Sequence, residues 1–292
     1  MSVVTLAAFW VTPLFSQGKD LQRAIEDRIA AEPGATVAVV VRDPASHVRV
    51  DREPDLRFHA ASTMKLGVLI ELGRRIDAGE IRWNDSLPVH PEFASIVDGS
   101  PYRLDAGSDS DSAVYAAIGT KWSVRQLATR MVVRSSNLAA NLLVERLDPG
   151  RITATIRRLG ADSMAVLRGV EDGKAYERGL NNTTTARDLA TLLLAVADGR
   201  AASPATCREL LEILAAQEIN DGIPAGLPAG TRIAHKTGNI TATWHDAALI
   251  YPPDGRPFVL VVLSRGIPKR ERGMALQADI AKLVFEEIGV RR

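Results

Sequence analysis

The chain has 292 residues, of which 46% are hydrophobic, and a formal net charge of +1. It is long enough to bury a large core, and without a basic stripe it is not expected to bind nucleic acid. The single cysteine, Cys207, excludes an intrachain disulfide and is expected to be a small core residue. The five histidines lack the spacing of metal ligands, so we expect neither a metal nor another cofactor.

The first predicted element is an N-terminal apolar run at residues 3–15. Its length fits the hydrophobic region of a signal peptide and falls short of the roughly 20 residues that a bilayer-spanning helix needs. The usual positively charged start is missing, because Lys19 is the first basic residue. We expect residues 1–18 to form a signal segment, and the protein to be periplasmic or secreted without stable membrane insertion.

The elements that follow alternate between sheet near the ends of the chain and helix in its middle. A helix at 19–31 precedes a hairpin with strands at 35–41 and 47–51. Apolar residues at helical spacing then predict helices at 63–76, 124–133, 138–147, 185–198 and 204–217. Three strands and a last helix follow at 232–236, 247–251, 258–263 and 272–287.

This order predicts an α+β fold in which an antiparallel sheet is built from both termini and flanked by helices, with a helical lobe inserted. We expect one catalytic domain over residues 19–292. Its sheet lobe would take about 19–55 and 218–292, and its helical lobe about 56–217. A site is expected in the crevice between the lobes, where ligand sites are favoured.

The most informative motif is Ser-Thr-Met-Lys at residues 62–65, at the start of a predicted helix. Ser62 would lie in the first turn, where the positive end of the helix dipole favours an alkoxide. Lys65 lies one turn further on the same face and could reach the Ser62 hydroxyl. To act as a base it must be neutral, so its pKa must fall well below roughly 10.4 through burial or a second cation, for which Lys236 is the candidate. The alternative is that Ser62 caps the helix and Lys65 is solvated.

Two further motifs follow in order, Ser-Ser-Asn at 135–137 and Lys-Thr-Gly at 236–238. Taken alone, the first could be a turn and helix cap, and the second the exposed end of an edge strand. Together with residues 62–65 they form a nucleophile, a proton shuttle and a binding group for the substrate. Convergence of three such motifs favours an active site.

Four segments resemble class A serine β-lactamases, which are related to penicillin-binding proteins. Residues 57–65 (RFHAASTMK) look like the nucleophile segment, and 131–143 (MVVRSSNLAANLL) are similar to the family's Ser-Asp-Asn segment. Residues 235–238 with 244–246 resemble the Lys-Thr-Gly strand and the start of the next strand. Residues 182–186 (NTTTA) resemble the end of the family's Ω-loop, which corresponds here to residues 168–182. The resemblance runs from about residue 22 to the C-terminus.

The resemblance implies a role for each residue of the first two motifs. Ser62 would be the acylated nucleophile, and Lys65 its base or proton relay. Ser135 would pass a proton to the leaving β-lactam nitrogen. Asn137 would bind the amide of the substrate side chain and help to hold Lys65.

The third motif, by the same resemblance, would bind the substrate. Lys236 and Thr237, in the motif that Gly238 completes, would bind the substrate carboxylate. The backbone N–H groups of Ser62 and Asn239 would form the oxyanion hole, a feature that contributes several kcal/mol in such sites.

The second motif departs from the family, because Ser136 stands where the family has an aspartate that braces the loop. The segment between the first two motifs is also longer than in the family. The extra length falls at residues 92–117, which are rich in Asp, Ser and Gly and are predicted to be a loop. That loop would lie beside the entrance of the active site. Its polar residues are expected to be ordinary loop residues and not metal ligands.

The Ω-loop departs too. Glu171 lies at the family's spacing from Ser135 and is our candidate for the base that activates the deacylating water, with Asp172 and Glu177 as rivals. Arg168 is one residue further from Glu171 than the family pattern has it, and Asn182 replaces an acid that would pair with an arginine. The alternative is that Glu171 is a solvated loop acid.

The function implied is a serine hydrolase that forms an acyl-enzyme at Ser62 and hydrolyses β-lactam amide bonds. Two alternatives stay open: a D-alanyl-D-alanine peptidase or esterase, and a β-lactam sensor domain that stays acylated. The expected partner is a small-molecule substrate, and the protein is expected to be a monomer.

Overall fold

The computed structural model describes residues 14–253 and 255–291. Residues 1–13 of the predicted signal segment therefore lie outside the described residues, and residues 14–18 begin the first helix, α1 (Leu14–Ala30). Within the described ranges, no helix combines the length and apolar character that crossing a bilayer requires.

The helices after α1 are α2 (Lys65–Asp77), α3 (Ser112–Ala116), α4 (Val124–Val133), α5 (Asn137–Leu147), α6 (Pro149–Arg158), α7 (Gly173–Glu177), α8 (Ala186–Ala197), α9 (Pro204–Ala215) and α10 (Arg270–Arg291). Two 3-10 helices span Ala61–Met64 and Ile223–Gly226. The strands are β1 (Thr36–Arg42), β2 (Arg49–Arg52), β3 (Phe58–His59), β4 (Ser86–Pro88), β5 (Glu92–Ala94), β6 (Pro101–Arg103), β7 (Lys121–Ser123), β8 (Thr183–Thr184), β9 (Arg232–Ile240), β10 (Thr243–Tyr251) and β11 (Phe258–Arg265).

The main sheet has five antiparallel strands in the order β2-β1-β11-β10-β9. Strand β1 is buried on both faces, because its alternate side chains enter two different cores. Ala38 and Val40 belong to the core shared with the helices between the two halves of the sheet. Val37, Val39 and Val41 belong to the core that contains residues of α1 and α10. The predicted α+β fold, with a sheet from both ends of the chain and helices inserted, is confirmed.

Three differences from the predictions bear on the site. Strand β9 runs on to Ile240 instead of ending at Lys236, so the Lys-Thr-Gly motif lies inside a paired strand, with Gly238 opposite His245. Polar residues that face a site hide the alternation by which a strand is recognised. Ser62 lies in a 3-10 turn before α2 and not in the first turn of an α-helix. The predicted loop at 92–117 contains the β5–β6 hairpin and the short helix α3.

Candidate active site

The 3-10 turn Ala61–Met64, called the nucleophile turn because it carries the candidate nucleophile Ser62, is held by contacts on the residues just before Ser62. Ala61 has a φ of 46°, in the left-handed region that is costly for a residue with a Cβ. Its N–H donates to His59 Nδ1 at 3.0 Å, and the Ala60 N–H donates to the Asn182 carbonyl at 2.8 Å. These contacts fix the turn at the edge of a pocket of about 570 Å³ that Ser62 lines, a volume typical of small-molecule sites.

Strand β9 closes the other side of this turn at short range. A Cβ on Gly238 would lie 2.9 Å from the Thr63 nitrogen and 3.1 Å from the Ser62 nitrogen, so only glycine allows this approach. The next residues of the strand, Asn239 and Ile240, line the pocket together with Ser62. The third motif is therefore packed directly against the first.

The amine of Lys65 lies in the buried floor of the site. Its Nζ donates to the Ser135 carbonyl at 2.6 Å and to Asn137 Oδ1 at 2.9 Å, and it lies 3.4 Å from Ser135 Oγ. Burial lowers the pKa of Lys65 to about 7, against the opposing attraction of Asp109 and Glu171. A neutral amine is thus accessible near neutral pH.

The amine of Lys236 approaches the same serine from β9. Its Nζ donates to Ser135 Oγ at 3.0 Å and to the Thr237 carbonyl at 2.9 Å. Burial, and then repulsion from Lys65, hold the pKa of Lys236 well below its usual range, although Asp246 raises it. Two buried cations this close favour the loss of a proton from one of them. Ser135 Oγ then lies between a neutral amine, which can act as a base, and a protonated amine.

Glu171 joins this network from the Ω-loop. Its backbone is also left-handed, with a φ of 65°, and its side chain lines the pocket. Oε1 accepts from Asn137 Nδ2 at 2.6 Å, and Oε2 accepts from Ser108 Oγ at 3.2 Å. Partial burial raises the pKa of this carboxyl, while the same two hydrogen bonds lower it. The hydrogen bonds thus run without a break from Lys236 to Glu171.

The two rival acids make no printed contact with the second motif, although Asp172 also lines the pocket. Asp172 is buried and accepts from Ser95 Oγ at 2.9 Å, the Ile96 N–H at 3.0 Å and the Ala175 N–H at 3.1 Å. It therefore caps α7 and ties the Ω-loop to the β5–β6 hairpin. Glu177 is exposed at the end of α7, whereas the exposed side chain of Glu171 faces the pocket. Of the three candidates, Glu171 is the one that contacts the second motif.

Hydrogen bonds, and not an ion pair between an arginine and an acid at residue 182, anchor the Ω-loop. Arg168 donates from Nε to the Leu180 carbonyl at 2.9 Å and from Nη2 to Asn181 Oδ1 at 3.0 Å. Asn141 on α5 accepts from the Val170 N–H at 2.6 Å and donates to the Val170 carbonyl at 3.0 Å. Neutral acceptors and a buried amide hold the segment that carries Glu171.

Asn182, which stands in place of an acid, binds backbone instead of an arginine side chain. Its Oδ1 accepts from the N–H groups of Leu167 at 2.8 Å and Arg168 at 3.2 Å, and its Nδ2 donates to the Arg168 carbonyl at 3.0 Å. The amide therefore joins the two ends of the Ω-loop.

Sequence reasoning missed several residues of this site. Asp109 contacts the second motif, and His59 and Tyr176 line the pocket with ring centroids 6.3 Å apart. The dense run of aspartate and serine at 105–111 was the available signal for Asp109, while His59 stood within the nucleophile segment itself. For Tyr176 the sequence offered no signal.

The sheet, the inserted helices and the serine–lysine site define a protein of the β-lactamase/transpeptidase fold. A sequence model described as "Beta-lactamase enzyme family" matches residues 20–288, and the chain belongs to this family. It is a serine β-lactamase-like hydrolase.

Individual relatives agree. The chain is 28% identical to β-lactamase 1 of Streptomyces cacaoi over 259 residues, which cover 84% of this chain and 75% of that protein. An ancestral class A β-lactamase structure is 26% identical, with a TM-score of 0.77, over 91% of this chain and 99% of that one. The structure of PBP-A is 24% identical, with a TM-score of 0.79, over 96% of this chain and 98% of that chain. At this identity the similarity supports the fold only.

Proposed function

We propose that this protein hydrolyses β-lactams through an acyl-enzyme formed at Ser62. The observation that carries the proposal is the unbroken set of hydrogen bonds from Lys236 through Ser135, Lys65 and Asn137 to Glu171. It links the groups needed for acylation to the group needed for deacylation beside one pocket. The β-lactamases among the relatives support the same substrate class.

In acylation, Ser62 Oγ attacks the β-lactam carbonyl and its proton passes to neutral Lys65. The N–H groups of Ser62 and Asn239 stabilise the oxyanion. When the carbon–nitrogen bond breaks, the leaving nitrogen takes the proton of the Ser135 hydroxyl. The protonated Lys65 amine returns a proton to Ser135, whose Oγ lies 3.4 Å from it.

Deacylation needs a second base. Glu171 takes a proton from a water molecule, whose oxygen attacks the carbonyl carbon of the Ser62 ester. As the bond from that carbon to Ser62 Oγ breaks, the proton passes from Glu171 to Ser62 Oγ, and the product leaves as a carboxylic acid. General-base assistance of this kind contributes roughly 10²–10⁴ in rate. The raised pKa of Glu171 makes its carboxylate a stronger base than an ordinary glutamate.

The substrate carboxylate is assigned to Lys236 and Thr237. Both are buried in β9 next to the turn that carries Ser62, so an anion bound there would place the β-lactam ring over the nucleophile. An arriving anion also favours the protonated form of Lys236, which leaves Lys65 as the neutral amine.

The direct test is the time course of a chromogenic cephalosporin with purified protein. Sustained turnover far beyond one equivalent supports the hydrolase. A single stoichiometric burst contradicts it and favours a sensor domain or a peptidase. Release of D-alanine from an acyl-D-alanyl-D-alanine peptide would then separate the last two.

We further infer that the protein acts in the periplasm or outside the cell. The apolar run at residues 3–15 supports export. Sequencing the N-terminus of the protein from fractionated cells tests this: a cleaved form outside the cytoplasm is expected, and an intact cytoplasmic form would contradict it.

A further inference from the structure

We propose that Asp109 is a positioning residue for acylation, supplying from a different segment the carboxylate that the Ser135–Asn137 motif lacks at Ser136. Asp109 lies in the loop of residues 105–111, within the extra length that precedes the motif. The proposal rests on the proposed function, because acylation at Ser62 is the step that the motif serves.

Asp109 adds to the cap of α5, whose N-cap residue is Ser136, with Ser136 Oγ accepting from the Ala139 N–H at 3.3 Å. Asp109 Oδ2 accepts from the N–H groups of Asn137 and Leu138, both at 2.9 Å, and from Ser136 Oγ at 3.3 Å. These two N–H groups belong to the first turn of α5, whose amides have no partner within the helix. A carboxylate there also meets the positive end of the helix dipole. Asn137, which holds both Lys65 and Glu171, is thereby fixed at its backbone.

The residues around Asp109 tie the 105–111 loop to the site on both sides. Ser108 Oγ donates to Glu171 Oε2 at 3.2 Å, and Ser110 Oγ donates to the Arg134 carbonyl at 2.5 Å. Asp111 accepts from Arg130 Nε on α4 at 2.5 Å. Successive residues of one loop thus contact the Ω-loop acid, the start of α5 and the end of α4, so Asp109 is held in place from outside the motif.

Asp109 also acts on Lys65 through its charge. The charged groups that face Lys65 are Lys236 from β9, Glu171 from the Ω-loop and Asp109 from the 105–111 loop. Asp109 raises the pKa of Lys65, against the larger effect of burial. Removing the carboxylate charge therefore lowers the pKa of Lys65, and the pH at which acylation reaches half its maximum rate moves downward.

A compensating pair of substitutions tests the proposal. In Asp109→Ala, acylation by a fluorescent penicillin should slow by about tenfold or more, the size expected from losing hydrogen bonds to a charged group. Ser136→Asp alone should give no gain, because it sets two carboxylates side by side. The double variant Asp109→Ala/Ser136→Asp should recover most of the rate, because residue 136 is the N-cap of α5 and an aspartate there returns a carboxylate to the positive end of the helix.

The pH profile separates positioning from a general loss of structure. In Asp109→Asn, which keeps an acceptor and loses the charge, the midpoint of acylation should shift to lower pH. The matched control is Asp148→Asn, at the aspartate whose carboxylate caps α6 by accepting from the Arg151 N–H at 3.0 Å; its midpoint should stay at the parent's value. Parent-like rate and midpoint in both Asp109 variants would overturn the proposal, as would a double variant as slow as Asp109→Ala.

A second measurement needs no β-lactam. Amide hydrogen exchange at Asn137 and Leu138 should accelerate in Asp109→Ala. In the double variant, exchange at Leu138 should slow again, because an N-cap side chain can reach the N–H of the second helical residue. Unchanged protection in Asp109→Ala would overturn the capping role. If the parent itself is never acylated, the proposed function fails, and hydrogen exchange still decides whether Asp109 holds the motif.

Discussion

The buried amines of Lys65 and Lys236 both lie close to the Ser135 hydroxyl. Burial of two like charges is unfavourable, and the pKa of each amine falls in response. A serine needs a neutral base nearby before it can attack a carbonyl. The burial that disfavours the charged amines is therefore what makes Lys65 usable as a base.

We predict that Ser62→Ala abolishes covalent labelling by a fluorescent penicillin while the protein stays folded. The substitution removes only the nucleophilic oxygen, and the neighbouring turn is held by backbone contacts of Ala60 and Ala61. Gel fluorescence measures the labelling and thermal unfolding monitors the fold. Ser86→Ala, at an exposed serine of β4, should label like the parent. Labelling of Ser62→Ala at the parent's level would contradict the acyl-enzyme.

Lys236→Ala should shift the pH dependence of acylation. Lys236 and Lys65 meet at the same serine hydroxyl, and repulsion from Lys65 lowers the pKa of Lys236. Repulsion between two cations acts on both, so removing the Lys236 charge should raise the pKa of Lys65. The neutral amine then forms only at higher pH, and the acid limb of the acylation rate moves upward. The substrate for this test is a neutral ester without a carboxylate, because its rate of acylation does not depend on the binding of an anion by Lys236.

The control for this prediction is Lys121→Ala, at an exposed lysine of β7, which should leave the midpoint unchanged. With anionic β-lactams, Lys236→Ala should in addition bind the substrate more weakly, because the substrate carboxylate has lost its cationic partner. A midpoint that does not move would show that Lys236 has no influence on Lys65.

At the scale of elements, the approach of β9 to the nucleophile turn depends on Gly238. In Gly238→Ala the new Cβ would press on the Thr63 and Ser62 nitrogens, which are backbone atoms that cannot swing aside. We expect unfolding stability to fall by about 1–3 kcal/mol and acylation to slow, measured by denaturant titration and penicillin labelling.

Gly289→Ala in α10 is the matched control, since a Cβ there meets no heavy atom of the described residues within 4 Å. Alanine favours a helix over glycine by up to about 1 kcal/mol, so stability should be unchanged or slightly higher. A Gly238→Ala variant as stable and as fast as the parent would contradict the close approach.

The predicted helices between residues 63 and 217 were placed within about two residues of their ends, whereas α1 begins at Leu14 and α10 ends at Arg291, further out than predicted. Helix α4 has the predicted bounds, and α5 begins at Asn137, one residue before the prediction. Helix α6 was missed, because its buried face has few large apolar residues besides Ile152 and Ile156. The extension of β9 was missed because it carries the polar motif.

The three motifs were found from residue type and order, but the contacts between them were not. The orientation of Glu171 depends on a left-handed backbone and on Asn137, and the role of Asp109 depends on a loop folding back over α5. Such contacts join residues far apart in sequence, and no local pattern encodes them. The residue types of the three motifs were therefore predictable from sequence, whereas the positions of Glu171 and Asp109 relative to them required the fold.

At the scale of the molecule, the sheet and the inserted helices meet along the site. Strand β9 brings Lys236, the 3-10 turn brings Ser62, and α5 brings Asn137. The Ω-loop is tied to α5 by Asn141 and closed by Asn182. The position of Glu171, the proposed deacylating acid, thus depends on the packing of the helices. The position of the proposed acylation site depends on the packing of those helices against the sheet.

The central claim, an acyl-enzyme at Ser62 that Glu171 clears, is tested most directly by time-resolved intact-protein mass spectrometry after mixing with penicillin. The parent should show an adduct that disappears as substrate is consumed. Glu171→Gln should form the same adduct and clear it more slowly by about 10²–10⁴, whereas Glu177→Gln, at an exposed acid of the same loop, should behave as the parent. An adduct that the parent never clears, or parent-like clearance in Glu171→Gln, would contradict the account.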